Sequence, residues 1–172
     1  MVAVHDLAYM LRQGSMFQVA SQAQAKQLVQ ESRFASWLSC FRSDLLLVNG
    51  NFDRTSTGRI SPLSFLYANL ALSLSQNPEC FVLHYFCSLN DNPSHPLTGP
   101  QGLIQSFMTQ LLHTGWLFDQ DFINMCSYKD DIVLHSVEAL CFTFWQLVEQ
   151  LLVNKCVLCI IDNITITFNN LG

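Results

Sequence analysis

Apolar residues along the chain alternate between short unbroken runs and longer stretches in which they return every three or four positions. Over 21–41, Leu28, Phe34, Trp37, Leu38 and Phe41 lie at helical spacing among good helix formers, which predicts one helix. Leu45 to Val48 is a continuous apolar run between Asp44 and Asn49-Gly50, as expected of a parallel strand covered on both faces. After a polar loop, Ser61-Pro62 supplies a hydroxyl cap and a first-turn proline. Leu63, Leu66, Tyr67, Leu70 and Leu74 then predict a helix to about Gln76. Asn77-Pro78 stops that helix, and "CFVLHYFCSL" from Cys80 reads as a second buried strand.

The turn-forming stretch Asn90 to Pro100 precedes a helical stripe of Leu103, Ile104, Phe107, Met108, Leu111 and Leu112. From Asp130 a long helical pattern runs through Ile132, Val133, Val137, Leu140, Phe144, Leu147, Val148, Leu151 and Leu152. "CVLCIID" then predicts a third core strand ending on the carboxylate of Asp162. Strands alternating with amphipathic helices imply right-handed crossovers and a three-layer α/β domain with a parallel sheet. Length and a half-apolar composition suit one core, with 1–43 as an N-terminal helical segment and 44–172 as the sheet-bearing part.

Charge changes this picture in two ways. Charged residues are only 12% of the chain and mean hydropathy is +0.25, so a partner surface is expected, either a second copy or a longer relative. The net charge of −5 comes from scattered residues, which leaves no basic patch for nucleic acid. The charge-free runs Ile60–Pro78 and Asn92–Phe118 contain prolines and many polar residues, so no membrane-spanning helix is expected. With no basic leader at "MVAVHDLAYMLRQG", a cytoplasmic location is the expectation. The seven cysteines sit mostly in apolar segments and read as reduced core thiols. Cys156 and Cys159 have the CxxC spacing of zinc or redox sites, but in a strand positions i and i+3 face opposite sides.

Ligands of parallel sheets bind at the carboxyl ends of strands, which here would gather the Gly50–Ser61 loop and Asp162. A phosphate loop, G-x-x-x-x-G-K-[ST], wraps phosphates with backbone N–H groups and a helix start, while its Lys neutralises charge and its hydroxyl holds magnesium. A hydrophobic strand ending in Asp adds a second magnesium contact. The ordered blocks "LLLVNGNFDRTSTGRISPLSFLYANLALSL", "CFVLHYFCSLN", "LTGPQGLIQSFMTQLL" and "VLCIIDNIT" resemble a fungal P-loop NTPase domain of the NACHT/STAND type, as in nephrocystin-3-like proteins. The resemblance covers roughly Asp44 to Asn163 and implies a P-loop NTPase-like core, here incomplete at its C-terminal side, that binds ATP or ADP with magnesium as an oligomerisation switch. It implies Gly50, Thr57, Gly58, Arg59, Ile60 and Ser61 as the nucleotide loop, and Ser61 and Asp162 at the metal.

The loop departs from that pattern at defined positions. Asp53 stands five before Gly58, where the first glycine belongs, Arg59 replaces Lys, and Ile60 stands where the hydroxyl belongs. No Asp or Glu follows Asp162 to activate water. A degenerate nucleotide-binding domain with weak or no ATP binding, and without efficient hydrolysis, is therefore expected. Three plainer readings stand beside it: an ordinary strand–helix connection with a Ser-Pro cap, a nucleotide-independent interaction module, and a non-functional gene fragment. Asp162 in turn reads equally as a strand-end carboxylate that caps a turn.

Overall fold

Two of the three apolar runs expected to be strands form them. In this computed structural model β1 (Cys80–Phe86) and β2 (Cys156–Asp162) pair in parallel, in register from Cys80 opposite Cys156 to Phe86 opposite Asp162. The residues described are 2–17, 19–40, 42–49, 60–95, 97–124, 126–134, 136–151 and 154–162. Among them the chain is mixed α/β, with this two-stranded sheet as its β component.

The helices are α1 (Val2–Arg12), α2 (Val19–Gln30), α3 (Ser32–Leu38), α4 (Pro62–Leu74), α5 (Gly99–Leu112), α6 (Cys126–Val133) and α7 (Val137–Glu149). Short 3₁₀ turns occupy Gln13–Met16, Cys87–Leu89 and Asp121–Asn124. The helix expected after Ser61 and the strand ending at Asp162 are both present.

Alternation along β1 splits its side chains between two apolar clusters. Leu83 and Tyr85 join Phe107 and Leu111 of α5 and Leu147 of α7, with Phe81, Val157 and Ile161 packed against them. Phe86 turns the other way, onto Met10 of α1 and Ala68 of α4. Helices therefore cover both faces, α5 and α7 on one and α1 and α4 on the other.

The free edge of β1 is closed by a side chain. The Gln110 carboxamide accepts from the His84 N–H at 3.0 Å and donates to the His84 carbonyl at 2.9 Å, reproducing the pair of bonds a neighbouring strand would make. Gln110 is itself buried, so both amide groups are satisfied out of water.

Three expectations from the hydrophobic pattern are corrected. Leu45–Val48 forms no strand: Leu45 and Leu47 are 72% and 75% exposed, and no described strand lies beside the segment to complete its ladder. The helix expected over 21–41 is two helices, broken at Glu31, whose ψ of 131° is extended; the break sets α3 so that Phe34 is buried. The long helix from Asp130 is also two, since Ser136 leaves helical geometry and its hydroxyl accepts from the Ala139 N–H to start α7. Periodicity survives both breaks because either side of a turn buries its own apolar stripe. The cysteines also divide, Cys87 being buried while Cys40, Cys141, Cys156 and Cys159 are exposed and free.

Candidate functional site

The first turn of α4 is built by its own sequence. Ser61 lies in extended geometry before Pro62, and the Ser61 hydroxyl accepts from the Ser64 N–H at 3.1 Å. The Ser64 hydroxyl accepts in return from the Ser61 N–H at 3.1 Å, and the two hydroxyls lie 3.0 Å apart. This reciprocal capping box satisfies donors that a helix start leaves open, at roughly 1 kcal/mol for the cap. It also thins the amides available to an anion, because Pro62 has no N–H and the Ser64 N–H is taken.

Packing of α4 against β2 brings this turn to the carboxyl end of the strand. Ser64 is fully buried and hydrogen-bonds the side chain of Asp162, which is 3% exposed. Its carboxylate oxygen Oδ2 has no hydrogen-bond partner among the described residues. Burial pushes the Asp162 carboxyl up to about 6, against a smaller downward pull from the Ser64 hydrogen bond. The same carboxylate, together with burial as the larger cause, raises the Tyr67 phenol one turn along α4.

Past β1, Ser88 is buried in the 3₁₀ turn with its hydroxyl unpartnered among the described residues. That turn contacts β2, so among the described residues the carboxyl end of the sheet carries two buried polar side chains with unused capacity.

A second polar group ties α1 to the same end of β1. Asn90 donates to the Asp6 carboxylate at 3.2 Å and to the Phe86 carbonyl at 3.1 Å. The His84 Nε2 lies 3.0 Å from the Ala3 carbonyl, in the structural role its place within an apolar run suggests. Burial lowers the His84 pKa and raises that of Asp6, although Asn90 and the nearby histidines oppose the Asp6 shift. Beside them His5, Asp6, Tyr9, Arg12 and Leu89 line an open cleft of about 340 Å³.

Of the residues expected at the site, the structure brings Ser61 and Asp162 to one place, linked through Ser64. Ile60 is half-buried and packs on the Met10, Ala68 and Phe86 cluster, so it serves the core. Gly50, Thr57, Gly58 and Arg59, like Asp53 and Asn163, lie outside the described residues. Ser64, Tyr67 and the Asp6–Asn90 pair were not anticipated. Ser64 carries the one legible signal, a hydroxyl three residues after the capping Ser61. No helix among the described residues is long and apolar enough to cross a membrane, and no cluster of three or more metal-ligating side chains occurs among them.

Comparison with known protein families, characterised proteins and solved structures finds no match to this chain.

Proposed function

We propose that the chain is a degenerate P-loop NTPase-like domain of the NACHT/STAND type that binds adenine nucleotide weakly and does not turn it over efficiently. One observation carries the reading: a buried carboxylate at a parallel strand's carboxyl end, Asp162, is hydrogen-bonded by Ser64 on the first turn of the helix that follows the Gly58-Arg59 loop. Helices over both sheet faces support the finer expectation of a three-layer P-loop core.

The donor set fits a divalent cation in part. Asp162 offers one oxygen that has no partner among the described residues, whereas the Ser61 hydroxyl is engaged in the capping box. Magnesium would neutralise phosphate charge beside Asp162, and Arg59 with the loop backbone would hold the phosphates. Asn163 directly follows Asp162, where a second carboxylate would orient water, so efficient turnover is not expected.

Titration with a fluorescent ATP analogue, with and without magnesium, tests this on the wild type, Arg59→Ala and Asp162→Asn. Saturable binding is expected for the wild type, lost in Arg59→Ala and independent of magnesium in Asp162→Asn. Absence of saturable binding at millimolar nucleotide overturns the reading.

The exposure of Leu45 and Leu47 favours a second reading, a nucleotide-independent module that associates through uncovered apolar surface. Sedimentation analysis decides it, since a monomer at every concentration is incompatible with self-association through that surface.

A further inference from the structure

The two strands begin on cysteines that face each other. Cys80 and Cys156 are Cα partners at the first rung of the parallel ladder, and the Cys156 thiol bears on the ionisation of Cys80. Both are free, Cys156 exposed and Cys80 half-buried. Neighbouring strands run about 4.7–4.9 Å apart, inside the roughly 4.4–6.8 Å Cα separation that a disulfide spans.

The segments entering the strands hold this spacing. The Cys156 N–H donates to the Glu79 carbonyl at 2.8 Å, and Lys155 pairs with the Glu79 carboxylate at 3.1 Å. Asn154 donates to the same carboxylate at 2.7 Å, and Lys155 donates to the Pro78 carbonyl at 3.0 Å. The CxxC partner, Cys159, alternates to the opposite face, next to Leu83 in the register.

We infer that Cys80 and Cys156 form a reversible redox site, a dithiol that a small-molecule disulfide oxidises to a cross-strand disulfide clamping the start of β1 to the start of β2. The Cys156 thiolate attacks one sulfur of the oxidant, releasing one thiol and leaving a mixed disulfide. The Cys80 thiolate then displaces the second thiol. Two protein thiols are oxidised to one disulfide, one small disulfide is reduced to two thiols, and the two protons leave the protein with them. Burial, followed by the influence of Cys156, pushes the Cys80 thiol up to about 11, which makes the exposed Cys156 the attacking group and Cys80 the resolving one. The site lies at the amino end of the sheet, six rungs from Asp162, and does not depend on nucleotide binding.

Treatment of the full chain with oxidised glutathione, followed by intact-mass analysis and peptide mapping, tests the inference. The expected product is lighter by two hydrogens, links Cys80 to Cys156, and reverts with dithiothreitol. Its melting temperature should rise by about 5–10 °C, as closing a long loop by a disulfide implies. Cys80→Ser should instead stop at a stable glutathione adduct on Cys156, and Cys156→Ser should yield no cross-link at Cys80. A stable adduct on wild-type Cys156, a Cys156–Cys159 link, or an unmodified Cys156 would each overturn the assignment.

Discussion

Ser64 on the first turn of α4 hydrogen-bonds Asp162 at the carboxyl end of β2, joining two fully or nearly fully buried side chains that lie far apart in sequence. The pair couples helix capping, strand termination and the ionisation of one carboxyl. Its consequences are measurable without any ligand.

The first is a pH dependence of stability. Asp162 titrates near 6 when folded against 3.8 in the ordinary range, so its protonated form is the one the fold favours. The contribution is fully present below about pH 4, declines as pH rises, and is lost above about pH 6, at roughly 3 kcal/mol. Asp162→Asn should therefore gain stability relative to wild type as pH rises from 4 to 7. Urea unfolding of both proteins across that range checks this. The difference between them is the readout because buried His84, with its lowered pKa, makes stability fall as pH drops below about 6.5 in both.

Ser64→Ala removes one half of the capping box and the one hydrogen bond that holds the Asp162 pKa down. Unfolding should be easier by about 1–2 kcal/mol. The pH at which the Asp162 contribution vanishes should also move above that of wild type. Ser64→Thr, which keeps the hydroxyl, should retain the wild-type midpoint of that pH dependence.

Gln110 stands in for a strand, so its loss should behave like an unmade backbone pair. Gln110→Leu is close in size but leaves the His84 N–H and carbonyl buried without partners, a cost of about 2–4 kcal/mol for the two groups. Hydrogen exchange gives the more specific test, because the His84 amide should lose protection relative to other amides of β1.

Gly102 on α5 is buried against the Leu97 backbone, where a Cβ would overlap the carbonyl group that accepts the Tyr85 hydroxyl. Gly102→Ala should cost about 1–3 kcal/mol through overpacking, although alanine is the better helix former. Thermal denaturation with near-ultraviolet circular dichroism should show a lower melting temperature and a changed Tyr85 signal.

Much of the fold could be read from local pattern because its causes are local. The apolar runs of β1 and β2, the Ser61-Pro62 cap and the stripe of α5 each combine residue preference with periodicity over one element. The failures have a common physical origin. Leu45–Val48 has the composition of a buried strand, yet a strand needs a partner ladder, and its side chains stand largely in solvent. The turns at Glu31 and Ser136 interrupt patterns whose spacing continues across them.

At the candidate site, sequence placed Asp162 at a strand end and Ser61 at a helix start, since each is a property of its own element. Only the packing of α4 on β2 decided that Ser64 would be their link, that Asp162 would be buried with one oxygen unpartnered among the described residues, and that Tyr67 would feel its charge. The cysteines follow the same division. Spacing drew attention to Cys156 and Cys159, whereas the register of the parallel ladder set Cys156 against Cys80. Periodicity and capping act over a few residues and are written in the chain. Proximity between residues more than seventy positions apart arises from burial of helix faces against the sheet, which no local pattern encodes.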